Sequence, residues 1–120
     1  MRLLIVDDSN VIRRSIERNA ATREVEIRMA GNGLEALSAI DEFEPDMVTM
    51  DITMPEMDGL TCVAEMVRRR PQVRILVVSA LADKSTAVEA VKRGAQGFLL
   101  KPFTAETLNE EIAELFEVAG

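Results

Sequence analysis

The sequence predicts an α/β domain in which a parallel sheet is wrapped by helices on both faces. Three observations predict it. Short apolar, β-prone runs alternate five times with segments of helical periodicity, the loops that join them are short, and four of the apolar runs end in a residue with a reactive side chain. Strand-helix repeats on short loops require right-handed crossovers, which makes the strands parallel and gives a three-layer, doubly wound (βα)5 architecture. In such a sheet ligands bind outside the carboxyl ends of the strands. The residues that terminate the apolar runs are therefore the first candidates for chemistry.

Leu3-Leu4-Ile5-Val6 is continuously apolar, the pattern of a strand buried on both faces, and it ends in Asp7-Asp8. Ser9 or Asn10 can cap the helix that follows, whose apolar positions Val11, Ile12 and Ile16 keep helical spacing with Arg13, Arg14 and Arg18 outside. Val25, Ile27 and Met29 alternate with Glu26 and Arg28, which predicts an edge strand with one wetter face. Asn32-Gly33-Leu34-Glu35 has the cap-to-acid spacing of a helix start; Leu34, Leu37 and Ile40 form its expected inner face, and Pro45 forbids continuation.

Met47, Val48, Thr49 and Met50 form the third strand and deliver Asp51 at its carboxyl end, before a loop carrying Pro55 and Gly59. Leu60, Val63, Ala64 and Val67 make the next helical stripe, with Cys62 away from it as a bystander thiol. Arg68-Arg69-Arg70-Pro71 is a cationic last turn that complements the helix macrodipole. The strand Ile75 to Val78 reaches Ser79, and a weaker helix around Val88 and Val91 closes at Gly94. A short strand from Gly97 to Leu100 precedes Lys101-Pro102. Thr104 starts the last helix, with Leu108, Ile112, Leu115 and Phe116 inward.

A length of 120 residues fits one domain, residues 1–120, and leaves no room for a second. The balance of 48% hydrophobic and 29% charged residues is globular rather than disordered. No apolar run approaches the ~20 residues that span a bilayer, and Met1-Arg2 leads directly into a strand, so a cytoplasmic protein with no membrane attachment is expected. A single cysteine excludes an internal disulfide, and the absence of histidine removes the commonest transition-metal ligand, so any metal must be a hard, oxygen-bound one. A net charge of -7 argues against nucleic acid as a partner, since that binding needs Lys and Arg to neutralise phosphates.

If Asp7, Asp8 and Asp51 converge, like charges ~5 Å apart repel by ~3 kcal/mol at an effective dielectric of ~20. Such a cluster either raises a pKa or holds a cation. Few carboxylates completed by waters and a carbonyl describe Mg²⁺, whose shell is often finished by a phosphate oxygen. Lys101 and Ser79 offer an ammonium and a hydroxyl for the remaining oxygens of a phosphoryl group, and a carboxylate such as Asp51 can attack phosphorus to form an acyl phosphate. Each residue also has a plain alternative: Asp8 could cap a helix, Ser79 could begin a turn, and Lys101 could be a solvated lysine. Their joint position on strand ends is what argues for a site.

Asp7-Asp8, Asp51 with Met54-Pro55-Glu56-Met57-Asp58-Gly59, Ser79-Ala80 and Lys101-Pro102-Phe103, in this order and spacing, resemble the receiver domain of bacterial two-component response regulators. The resemblance covers essentially the whole chain and is closest to single-domain, CheY-like chemotaxis regulators, particularly through Val48-Thr49-Met50-Asp51-Ile52-Thr53-Met54-Pro55. It implies a flavodoxin-like sheet of strand order 2-1-3-4-5. It also implies that Asp51 accepts a phosphoryl group from the phosphohistidine of a sensor kinase, that Asp7, Asp8, Asp51 and the Thr53 backbone carbonyl hold Mg²⁺, and that Lys101 and Ser79 contact the phosphoryl group. Phe98 falls at the family's switch aromatic, and Thr53 and Leu81 at positions that tune the phosphorylated lifetime; Leu81 cannot orient water by hydrogen bonding. The Lys101-Pro102 bond is expected to be cis. The downstream partner would be a protein such as the flagellar motor switch, engaged by the face of the fourth helix, fifth strand and fifth helix. A phosphate sink or the receiver part of a longer regulator, cut at Gly120, fits the same residues. A haloacid-dehalogenase-like phosphatase needs a second Asp two residues after its nucleophile, where this chain has Thr53, and a flavodoxin-like FMN site lacks its hydroxyl-rich loop.

Overall fold

The computed structural model describes residues 1–53, 58–80 and 84–119. The expectations attached to Met54, Pro55, Glu56, Met57 and Leu81 lie outside them. The chain alternates β1 (Arg2–Val6), α1 (Asn10–Ala20), β2 (Glu26–Ala30), α2 (Gly33–Phe43), β3 (Met47–Asp51), α3 (Gly59–Arg69), β4 (Arg74–Ser79), α4 (Lys84–Lys92), β5 (Gly97–Leu100) and α5 (Ala105–Ala119). All strand pairs are parallel, in the order β2-β1-β3-β4-β5. Fold class and strand order agree with the sequence expectation.

Successive strand residues point to opposite faces, and this period of two builds two apolar layers from one sheet. Leu3, Ile5, Met47, Leu76, Val78 and Leu99 pack with Ile16 and Ala20 of α1 and Leu108, Ile112 and Leu115 of α5. Leu4, Val6, Val48, Met50, Ile75 and Val77 face the other way, against α2, α3 and α4. The central strands are buried on both sides, which is why they read as near-continuous apolar runs, broken in β3 by Thr49. The edge strand β2 alternates exposed and half-buried positions.

Caps fix the helix starts at the strand ends. Ser9, rather than Asn10, caps α1, its Oγ accepting from Ile12 N at 3.3 Å. Asn32 Oδ1 accepts from Glu35 N at 2.9 Å while Glu35 Oε2 accepts from Gly31 N at 2.9 Å, a reciprocal cap of α2. The helix ends at Glu44, which takes a left-handed conformation (φ 51°) before Pro45. Asp58 caps α3 through Leu60 N at 3.1 Å. Gly94 has φ 114° just beyond α4, which glycine adopts without a Cβ clash.

Three helix faces, those of α2, α1 and α3, differ from the sequence expectation. On α2 the inner face is Ala36, Ala39 and Ile40, with Leu37 half-buried, and Leu34 is 68% exposed. Alanines carry little hydrophobic signal but mark where a helix axis lies close to the sheet. On α1, Val11 is 74% exposed, whereas Arg13 is half-buried rather than outside. On α3 the buried stripe is Gly59, Cys62, Val63 and Met66, so Cys62 is a fully buried core residue and Leu60 and Val67 flank the stripe. On α4, Val88 and Val91 are exposed and Ala90 is buried.

Gly59 matters for the site. A Cβ there would lie 2.2 Å from Ile52 Cα and 2.6 Å from Ile52 Cβ. Only glycine lets the start of α3 sit against the chain that leaves Asp51.

Candidate functional site

The parallel sheet brings Asp7 and Asp8 from the end of β1, Asp51 from the end of β3, Ser79 from the end of β4 and Lys101 from just beyond β5 to one edge. Carboxylate oxygens of Asp7, Asp8 and Asp51 lie within 4.8 Å of one another. Asp7 and Asp51 are each only 1% exposed; Asp8 is open to solvent.

Lys101 bridges the two buried acids. Its Nζ donates to Asp7 Oδ2 at 2.7 Å and to Asp51 Oδ2 at 3.3 Å. The Lys101-Pro102 bond is cis, as expected, and the Lys101 N–H donates to the Ser79 carbonyl oxygen at 2.8 Å, tying the β4 and β5 ends together. Burial pushes the Asp7 carboxyl above the usual carboxylate range, and the hydrogen bond from Lys101 only partly offsets it. Burial also opposes the charged ammonium of Lys101, but the bond to Asp7 and the attraction of both acids outweigh it, so its pKa is raised. The two shifts differ in origin: loss of hydration raises Asp7, whereas the acidic partners of Lys101 raise the ammonium against its own loss of hydration.

The remaining oxygens are held by donors two residues further along the chain. Asp7 Oδ1 accepts from Ser9 N at 2.9 Å. Asp51 Oδ1 accepts from Thr53 N at 2.8 Å and from Thr53 Oγ1 at 2.5 Å. Three carboxylates with no nitrogen or sulfur donor among them suit a hard divalent cation. The donor chemistry of this cluster fits Mg²⁺.

Ser79 is fully buried at the end of β4. Phe98 of β5 is half-buried and packs on the α2-α3-α4 side of the sheet, opposite Val77 in the register. Sequence reasoning missed two features: the Thr53 hydroxyl on Asp51, and Arg13, whose Nη1 donates to the Asp7 carbonyl oxygen at 2.5 Å. A signal for the second was available, since Arg13 is a cation near a helix start with no acid in the first turn.

Residues 3–113 match the family described as the response regulator receiver domain. The chain is 41% identical over 113 residues to the chemotaxis protein CheY of Listeria monocytogenes, covering 93% of this chain and 95% of that one. It is 41% identical over 112 residues to CheY of Bacillus subtilis, covering 92% and 93%. Among solved structures, the CheX-CheY-BeF3-Mg complex of Borrelia burgdorferi aligns with a TM-score of 0.90 at 28% identity, over 97% of this chain and 89% of that one. With an acid cluster and bridging lysine on the carboxyl edge of a 2-1-3-4-5 sheet, and a family match over most of its length, the chain belongs to the response regulator receiver domains and is of the CheY type.

Proposed function

We propose that this protein is a phosphorylation-activated signalling switch in which Asp51 is the phosphoacceptor. The observation that carries the reading is the convergence of Asp7, Asp8 and Asp51 with Lys101 between two of them. The chain contains no histidine, so the donor phosphohistidine sits on another protein, a sensor kinase. An Asp51 oxygen attacks phosphorus; the O–P bond forms as the N–P bond breaks, and its electron pair returns to the donor imidazole, which is protonated by solvent. Asp7, Asp8 and Asp51, with the Thr53 carbonyl, would hold Mg²⁺, which when bound neutralises charge on the transferring phosphoryl oxygens. Lys101 supplies a second positive charge at the same oxygens. Thr53 keeps the Asp51 carboxylate from rotating.

Ser79 hydrogen-bonds the arriving phosphoryl group, and Phe98 responds by repacking, which biases the α4-β5-α5 face between two states. Only contacts that differ between the states can move that equilibrium. Val88, Val91 and Leu100 expose apolar surface on this face, which suits a downstream protein partner such as the motor switch to which chemotaxis regulators couple. Leu81 cannot hold an attacking water, so self-dephosphorylation is slow. The receiver domain acts in the cytoplasm and not as a phosphatase: Thr53 stands where a haloacid-dehalogenase-like enzyme needs its second acid.

The test is intact-mass spectrometry after incubation with acetyl phosphate and Mg²⁺. One phosphoryl group is expected on Asp51, none on Asp51→Asn, and none in chelator. Addition at another residue, or none at all, overturns the reading.

A further inference from the structure

Beside the carboxylate cluster lies a cation to which the mechanism gives no part. Arg13 is the fourth residue of α1, counted from Asn10, and the first turn of that helix has no acidic residue. A cation there faces the positive end of the macrodipole, an unfavourable place unless something else holds it. What holds it is the main chain of Asp7, whose carbonyl oxygen accepts from Arg13 Nη1 at 2.5 Å. The guanidinium is also beside Gly31, where an added Cβ would come within 3.5 Å of the same nitrogen, and its Nη2 reaches Asn10 Oδ1 at 3.4 Å.

Asp7 is thereby fixed at every polar atom. Its N–H donates to the Ala30 carbonyl oxygen at 3.2 Å, its own carbonyl accepts from Arg13, Oδ1 accepts from Ser9 N, and Oδ2 accepts from Lys101. Of these four, only the bond from Arg13 connects the Asp7 peptide to the body of α1. The peptide that follows Asp7 sets both the direction of its carboxylate and the path of the chain to Asp8.

We propose that Arg13 is a positioning residue for the cation site: by gripping the Asp7 carbonyl it aims the Asp7 carboxylate at the point shared with Asp8 and Asp51. The inference rests on reading those three acids as the Mg²⁺ site. Charge and position pull in opposite directions here, which makes the idea testable. A fixed positive charge near the site repels a divalent cation, so losing the charge alone tightens Mg²⁺ binding. Losing the orientation weakens it. Outer groups that orient metal ligands typically contribute about 10–100-fold in affinity.

The experiment is calorimetric titration of Mg²⁺ alone into the full chain after chelator treatment, comparing wild type with Arg13→Ala, Arg13→Lys and Arg14→Ala. Arg14 is an exposed neighbour of equal charge whose Nε, among the described residues, reaches only Asn10 Oδ1. Arg13→Ala is expected to bind about tenfold more weakly, Arg13→Lys to recover part of the loss through its single ammonium donor, and Arg14→Ala to bind as wild type or slightly tighter. Phosphorylation of Arg13→Ala by acetyl phosphate should be slow at limiting Mg²⁺ and near normal at saturation. Should Arg13→Ala fail to fold by far-UV circular dichroism, Arg13→Met, which keeps the aliphatic stem and has no donor, is read in its place. Wild type that binds Mg²⁺ alongside a donor-less variant that binds it as tightly or more tightly overturns this inference alone. Wild type that binds no Mg²⁺ overturns the reading beneath it.

Discussion

Lys101→Ala should destabilise the Mg²⁺-free protein far more than an ordinary surface lysine change. The ammonium lies 2.7 Å from Asp7 Oδ2 and 3.3 Å from Asp51 Oδ2, with its side chain 16% exposed and both acids 1% exposed. At an effective dielectric of about 20 the two attractions amount to about 6 and about 5 kcal/mol before the opposing burial of the ammonium and the mutual repulsion of the acids. Removing one partner of a buried ion pair leaves a net cost of about 3–5 kcal/mol. Water entering the space at the rim favours the lower end, about 3 kcal/mol, a large share of a stability of about 5–15 kcal/mol. The assay is urea unfolding followed by circular dichroism, since the chain has neither Trp nor Tyr. In chelator the variant's midpoint should fall steeply; in saturating Mg²⁺ most of the lost stability should return, because the metal replaces the missing charge.

The pH dependence has a definite sign. Lys101 has a pKa raised above 10.5, so its contribution is complete below that pH and fades as pH rises through the folded-state value. Asp7, raised above 3.8, protonates early on acidification, so the deficit should also narrow as pH falls through that raised value. Equal midpoints in chelator, or the same deficit with and without Mg²⁺, would refute the reasoning.

Three further outcomes are expected. Asp7→Asn should raise the unfolding midpoint in chelator, because it removes a charge whose burial is incompletely compensated, and should abolish the Mg²⁺-induced gain; a lowered midpoint would contradict the crowding argument. Gly59→Ala should cost about 2 kcal/mol, as overpacking does, since the new methyl meets the main chain of Ile52; phosphorylation should slow with it because Ile52 directly follows Asp51, and wild-type stability would rule this out. Thr49→Val should stabilise by about 1 kcal/mol: Thr49 is 1% exposed and, among the described residues, its hydroxyl has no hydrogen-bond partner, so loss of stability by thermal melting would count against it.

The strands were legible because the central ones are covered on both faces, and such burial leaves a near-continuous apolar run with no phase to misread. Asp7, Asp51, Ser79 and Lys101 were legible for a related reason: each is the first polar residue after such a run, and parallel strands carry all those ends to one edge. Helix faces were less legible. Leu34 and Val11 are large and apolar yet exposed, while Ala36, Ala39 and Cys62 do the close packing. Periodicity weighted by hydrophobicity therefore rotates the inferred face toward the bigger residues. Bonds such as Arg13 to the Asp7 carbonyl and Thr53 Oγ1 to Asp51 depend on one rotamer meeting one atom across a turn, which residue spacing does not encode.

The placement of Cys62 gives the native chain a chemical reporter of its own motion. Its thiol has no accessible surface, lies 4.0 Å from the Gly33 carbonyl oxygen at the start of α2, and is pushed by burial to a pKa of about 11. An alkylating reagent can find the thiolate only during excursions in which α2 or α3 lifts off its neighbours, so the labelling rate measures how often that flank opens. Followed with and without phosphorylation, the rate would tell whether signalling loosens the half of the molecule that faces away from the output surface.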